Sequence, residues 1–242
     1  MKFTYTLTGL IHPERADVNV SHTTIEFEGN EGKVGFSIYK SKIAFTYQSN
    51  RALNSEGFNK LKLFAEDNVR AVVDSLGFLI GCGYDVEIIQ GIDNQHDCHL
   101  VYGVEETYLK ELNFIEQVPA MELIKIGNSE FGIFIKRCFS DLRLAIRSSK
   151  DSPFYCYRAI ECLMHYFKVD GIEKKKAWEE FRAMLDISLD DVMYIKDLSD
   201  PLRHGNPNEK LNYDRKLLLI STWEMVFKFI KFSKDKLGEN AC

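Results

Sequence analysis

Two groups of ionisable residues in the second half of the chain have the types and spacing for acid–base or anion-binding chemistry. The first is the segment Asp197-Leu198-Ser199-Asp200-Pro201-Leu202-Arg203-His204-Gly205-Asn206-Pro207. Pro201 starts or kinks a turn of helix, and Gly205 is placed to end it at a positive φ. Arg203 and His204 then sit at a helix C-terminus, where the dipole favours cations and tends to keep His204 protonated or hydrogen-bonded. Such a pair suits binding a phosphate, or acid–base work on a ribose 2′-hydroxyl and its neighbouring phosphate. Asp200 and Asn206 flank it as candidate substrate-binding groups. From these residues alone, a plain helix stop with cationic capping is an equally good account.

The second group is Arg158, Glu161 and His165, spaced by three and four residues in Phe154-Tyr155-Cys156-Tyr157-Arg158-Ala159-Ile160-Glu161-Cys162-Leu163-Met164-His165-Tyr166-Phe167. This segment is apolar around nearly its whole circumference, which marks a central helix. Its three polar residues therefore form one face, expected to point inward and to support the Arg203-His204 turn. A structural Arg–Glu pair beside a satisfied core histidine is the plainer reading.

Weaker signals are read as structural. His96-Asp97-Cys98-His99, with Cys82 upstream, has metal-ligand residue types, but on a strand His96 and Cys98 face opposite His99 and no second pair has zinc spacing. No metal and no cofactor is expected. Lys174-Lys175-Lys176 precedes Trp178 but is interspersed with Glu173, Glu179 and Glu180, which describes a solvated helix start. Gly81-Cys82-Gly83 is a helix stop rather than a phosphate loop, since it follows a helix and precedes a strand.

These residues need elements to hold them. Residues 125–242 carry helical periodicity: Phe131 through Ile146, opened by Ser129; a helix starting at Ser152-Pro153; a shorter one around Trp178, Phe181 and Leu185; a fourth from Ser188; and a last from about Leu211 to Leu237. Short connections make them a bundle. The first half alternates with period two through Phe3, Tyr5 and Leu7, Ile25 and Phe27, Val34, Phe36 and Ile38, and Ile43, Phe45 and Tyr47. Gly29-Asn30-Glu31-Gly32 predicts a hairpin turn. A long helix follows from Ser55, with Leu61, Phe64, Val69, Val72, Val73, Leu76 and Leu79 on one stripe, and two further strands run Tyr84–Gln90 and Cys98–Val104. The fold class is α+β: residues 1–120 form a mostly antiparallel sheet covered by one long helix, and residues 125–242 an all-α bundle.

The Tyr-Arg-Ala-Ile-Glu helix, the tryptophan helix, the helix ending in Arg203-His204-Gly205 and the final long apolar helix resemble, in that order, the HEPN superfamily of prokaryotic helical bundles. The resemblance covers about half of the chain. It implies a homodimer formed through the bundle and, in active members, a metal-independent ribonuclease of defence or stress systems whose arginine lies four to six residues before a histidine. His204-Gly205 matches the histidine end. Ser199 stands in the usual arginine place, Lys196 is the nearest upstream cation, and Arg203 is adjacent to His204. Members with such altered motifs are non-catalytic, so the resemblance implies a nucleotide- or RNA-binding or dimerisation module. The alternatives are an endoribonuclease with His204 as acid–base and Arg203 on the phosphate, or a scaffold whose N-terminal half senses a protein partner.

Charge adds bounds. The chain of 242 residues has net charge -5, which argues against a generic nucleic-acid binder. The acidic residues concentrate in residues 1–124, whereas residues 125–242 hold 21 Lys/Arg against 18 Asp/Glu, enough for a local anion site. Six cysteines without a repeated Cys-x-x-Cys spacing read as reduced core thiols. The first residues lack a secretory pattern and the longest apolar stretch is too short for a bilayer, so a cytoplasmic, membrane-free protein is expected.

Overall fold

The computed structural model describes residues 2–26, 32–102, 106–168, 171–205 and 213–239. The chain divides into two compact units, residues 1–104 and 105–242.

The first unit is a six-stranded antiparallel sheet, β1 (Phe3–His12), β2 (Val20–Glu26), β3 (Gly32–Tyr39), β4 (Lys42–Ser49), β5 (Asp85–Asp93) and β6 (Cys98–Val101), in the order β2-β3-β4-β1-β5-β6. Its registers follow the period-two pattern, with Leu7 opposite Phe45 and Phe36 opposite Phe45 from the other side. β2 and β3 pair as expected, Glu26 opposite Lys33. Most of the turn expected between them, including Gly29, Asn30 and Glu31, lies outside the described residues. At Gly9 the β1–β5 register shifts, and an added Cβ there would lie 2.2 Å from the Glu87 carbonyl oxygen, so the close strand approach requires glycine.

Helix α1 (Ser55–Ile80) covers one sheet face with Phe58, Leu61, Ala65, Val69 and Val73, which share a core with Tyr5, Leu7, Phe36 and Phe45. The Asn54 side chain accepts from the Gly57 N–H and Gly81 ends the helix at φ 71°. The buried stripe is shorter than its sequence pattern: Phe78, Leu79 and Ile80 are exposed in the last turn.

The second unit consists of α2 (Thr107–Lys110), α3 (Phe114–Gln117), α4 (Ala120–Gly127), α5 (Gly132–Arg147), α6 (Ser152–Met164), α7 (Lys174–Leu185), α8 (Leu189–Arg203) and α9 (Arg215–Glu239), with a 3-10 turn at His165–Phe167. Tyr108, Leu109 and Phe114 pack on the helical core, which is why this unit starts well before residue 125. Central α6 buries Cys156, Tyr157, Ala159, Ile160, Leu163 and Met164. Phe131, Tyr166, Phe167 and Phe229 make mostly edge-on ring contacts 4.8–6.3 Å apart.

Two expected caps are something else. Ser129 does not cap α5, which starts at Gly132; its hydroxyl donates to the Ile126 carbonyl. Ser152 is the first residue of α6, and its buried hydroxyl donates to the Ala145 carbonyl. Ser188 does cap α8, accepting from the Asp191 N–H at 3.0 Å. Arg215 opens α9 and joins several segments: it donates to the Ala145 and Ile146 carbonyls, to the Ser152 hydroxyl and to the Glu106 carboxylate.

Cys138 and Cys156 are core thiols, and burial pushes Cys156 up to about 12. Cys82 and Cys98 are exposed, because one follows the end of α1 and the other opens an edge strand. Among the described residues no helix is long and apolar enough to cross a membrane.

Candidate functional site

Helix α7 turns one face outward with Lys175, Trp178, Glu179 and Arg182, at spacings of three, four and seven residues. Helix α8 offers Leu189, Val192, Met193 and Lys196 at the same spacings, and Arg203 two turns further on. Tyr157 of α6 lies beneath. These side chains, together with Lys174, line a cleft of about 540 Å³, a size suited to a small ligand.

The rings and the cations are held relative to one another. Tyr157 and Trp178 stack with centroids 6.0 Å apart and planes at 24°. The Arg203 guanidinium lies 5.1 Å from the Tyr157 ring centre. Arg203 also donates to Asp200 Oδ1 at 3.3 Å, while Lys196 Nζ donates to Asp200 Oδ2 at 2.9 Å. Lys174 Nζ donates to Glu161 Oε1 at 2.6 Å. Lys175 and Arg182 have no ion-pair partner among the described residues.

The hydrogen bond from Lys196, reinforced by the positive charges of Lys196, Arg203 and His204, holds the Asp200 carboxyl below the usual aspartate value. The folded state thus favours the ionised form. The stability this contributes is present above the ordinary aspartate pKa and is lost as pH falls through the lowered one. Burial pushes the Tyr157 hydroxyl up to about 12, so Tyr157 is neutral and serves as a surface for stacking.

Arg158, Glu161 and His165 do not form one inward face. Arg158 turns to α5, donating to Asp141 at 2.7 Å, with its guanidinium against the Phe154 and Tyr155 rings. Glu161 turns to Lys174 of α7, and His165 is exposed at the 3-10 turn. The cause is the position of α6 between two flanking helices: side chains one turn apart reach for different neighbours.

Asp141 is 2% exposed. Burial raises its pKa despite the pull of Arg158. A raised carboxyl pKa means that the native state holds the proton more tightly than the unfolded chain does, so this group costs stability as pH rises above the ordinary aspartate value. Arg158→Ala is expected to raise the Asp141 pKa further and to cost about 2 kcal/mol near neutral pH, less in acid. Urea midpoints measured at several pH values check this; a pH-independent loss contradicts it.

The Arg203-His204 pair is divided by the helix end. His204 is the C-cap residue and Gly205 follows at φ 64°, as the sequence predicts. Arg203 reaches into the cleft, whereas His204 is exposed and outside its lining. Asn206 lies outside the described residues. Ser199, in the place of the upstream arginine, is fully buried, and its hydroxyl has no hydrogen-bond partner among the described residues. Ser199→Ala is expected to stabilise the helical unit by about 1 kcal/mol, read as a higher urea midpoint, because it removes an unsatisfied buried group. An unchanged or lower midpoint would mean that the hydroxyl has a partner.

The Lys174–Lys176 run is more than a solvated helix start, since Lys174 and Lys175 line the cleft. Spacing held the signal: Lys175, Trp178, Glu179 and Arg182 share a face. What was missing was the opposite wall, which no local pattern supplies. Elsewhere, His96 Nδ1 pairs with Asp93 Oδ2 at 2.7 Å. No group of three potential metal-binding side chains occurs among the described residues.

An α+β protein with a basic, aromatic cleft in a helical bundle is the class that fold and site define. Residues 5–102 match the N-terminal domain of a domain of unknown function (DUF8168), and residues 120–234 match the C-terminal domain of the same DUF8168. The chain therefore carries both halves of that family, in order. No curated protein and no solved structure matches it.

Proposed function

We propose that the helical half is a HEPN-like, non-catalytic module that binds a nucleotide or RNA in the α6–α7–α8 cleft. The observation that carries this reading is the convergence of Lys174, Lys175, Arg182, Lys196 and Arg203 on a cleft that also presents Trp178 beside Tyr157. Cations meet phosphates and aromatic faces stack on bases, the combination used by proteins that hold unpaired nucleotides. His204 is outside the lining and Ser199 replaces the upstream arginine, which favours binding over metal-independent cleavage. In the same reading the protein is a cytoplasmic homodimer joined through its bundle, in a prokaryotic defence or stress system. Its N-terminal half is left free to engage a protein partner.

The test is incubation of purified protein with end-labelled single-stranded RNA in excess EDTA, paired with filter binding of the same RNA and of labelled nucleotides. Binding without cleavage, equal for wild type and His204→Ala, is the expected result. Cleavage that His204→Ala abolishes would establish the endoribonuclease instead, and absence of all binding would leave the scaffold.

A further inference from the structure

Resting on that reading of the cleft, we infer that its ligand is a nucleoside di- or triphosphate rather than a stretch of RNA backbone. The cleft is polarised. Arg182 and Leu189 lie on either side of the short 186–188 connection, so the two of them, with Met193 one turn further on, mark one end. At the other end Lys174 bonds Glu161 and Arg203 stacks on Tyr157, one turn apart on α6. Trp178 lies between. A base stacked on Trp178 beside Leu189 and Met193 directs its phosphates toward Lys174, Lys175, Lys196 and Arg203.

Three carboxylates set what those cations will accept: Glu179 lines the cleft, and Asp200 and Glu161 are bonded to its cations. Asp200 holds Lys196 and Arg203, and Glu161 holds Lys174, so an incoming phosphate competes with a charge already in place. A backbone phosphodiester brings one negative charge to that contest. A di- or triphosphate brings several at one point and presents more acceptor oxygens to the lysine and guanidinium donors. Binding along an RNA backbone instead gains from many spaced contacts on an extended basic surface. This chain has net charge -5, and residues 125–242 carry an excess of only three basic residues. Five lysines and arginines do converge on one compact cleft, which matches a compact polyanion.

The experiment is calorimetric titration of the full chain, in excess EDTA, with ATP, ADP and AMP, with GTP, GDP and GMP, and with an RNA of about twelve nucleotides. The RNA is used with either a 5′-hydroxyl or a 5′-triphosphate. Affinity is expected to rise about tenfold or more from mono- to triphosphate, with the 5′-hydroxyl RNA weaker than either triphosphate. Asp200→Asn, which removes the competing charge, tightens triphosphate binding and changes 5′-hydroxyl RNA binding less. Tight binding of the 5′-triphosphate RNA alone identifies an RNA end as the source of the polyphosphate. Equal affinity along the phosphate series, tighter binding of the 5′-hydroxyl RNA, or weaker triphosphate binding by Asp200→Asn overturns the inference and leaves the nucleotide-binding reading standing. Absence of binding by every probe overturns both.

Discussion

Arg215→Met is expected to lower the stability of the helical unit by about 3 kcal/mol. Methionine keeps much of the length and apolar stem of arginine while removing all five donors. Left behind are the Glu106 carboxylate, which loses its cation, and the Ile146 carbonyl, which sits at the end of α5 without a following turn of helix, while the Ala145 carbonyl keeps only the Ser152 hydroxyl. The Arg215 and Glu106 side chains are 25% and 22% exposed, so water compensates in part and the figure stays below that of a fully buried pair. Arg215→Lys restores one charge but neither the fork nor its reach to several acceptors, and recovers less than half of the loss. Both tryptophans of the chain, Trp178 and Trp223, belong to the helical unit, so urea unfolding followed by tryptophan fluorescence reads that unit by itself. A midpoint unchanged by Arg215→Met would show that these contacts are replaced by water without cost.

The second large effect concerns binding. Lys196→Ala combined with Arg203→Ala removes two cations from the cleft, each able to form a charge-assisted hydrogen bond worth about 1.5–3 kcal/mol. Nucleotide affinity is expected to fall about a hundredfold. Stability is expected to change little. Both side chains are 36% exposed, and surface pairs of this kind contribute at most about 1 kcal/mol. This separation of affinity from stability distinguishes a ligand site from a structural ion-pair cluster. Trp178→Ala is a poorer probe of the same point, since Trp178 also packs edge-on against the fully buried Phe181.

How far the sequence reached depends on whether the signal was local. The α+β division was legible because period-two alternation and 3.6-residue spacing are properties of contiguous residues, and both halves show them cleanly. Helix ends followed where a single residue decides them, as with Gly81, Ser188 and Gly205. They failed at Ser129 and Ser152: the Ser129 hydroxyl donates to the Ile126 carbonyl and accepts from the Phe131 N–H, just ahead of α5, and the Ser152 hydroxyl donates to the Ala145 carbonyl. The Arg158, Glu161 and His165 face was correct as spacing, but the partners of these side chains are set by which helices flank α6.

The candidate site divides in the same way. Arg203 and Asp200 were legible as ionisable residues at a helix end. Lys174, Lys175 and Trp178 read as surface in the sequence, because the glutamates around them balance the charge there. Folding breaks that balance: Glu161 and Asp200 engage Lys174, Lys196 and Arg203, while Lys175 and Arg182 remain without a carboxylate partner among the described residues. Tyr157 carried no signal as a site residue, since one more aromatic on an apolar helix reads as core.

The most direct measurement is calorimetric titration of ATP into wild-type protein and into the Lys196→Ala, Arg203→Ala variant, with urea midpoints matched beforehand. Saturable binding to the wild type that drops about a hundredfold in the equally stable variant is the predicted result. Binding of equal strength to both proteins, or to neither, would contradict the assignment of the α6–α7–α8 cleft as the nucleotide site.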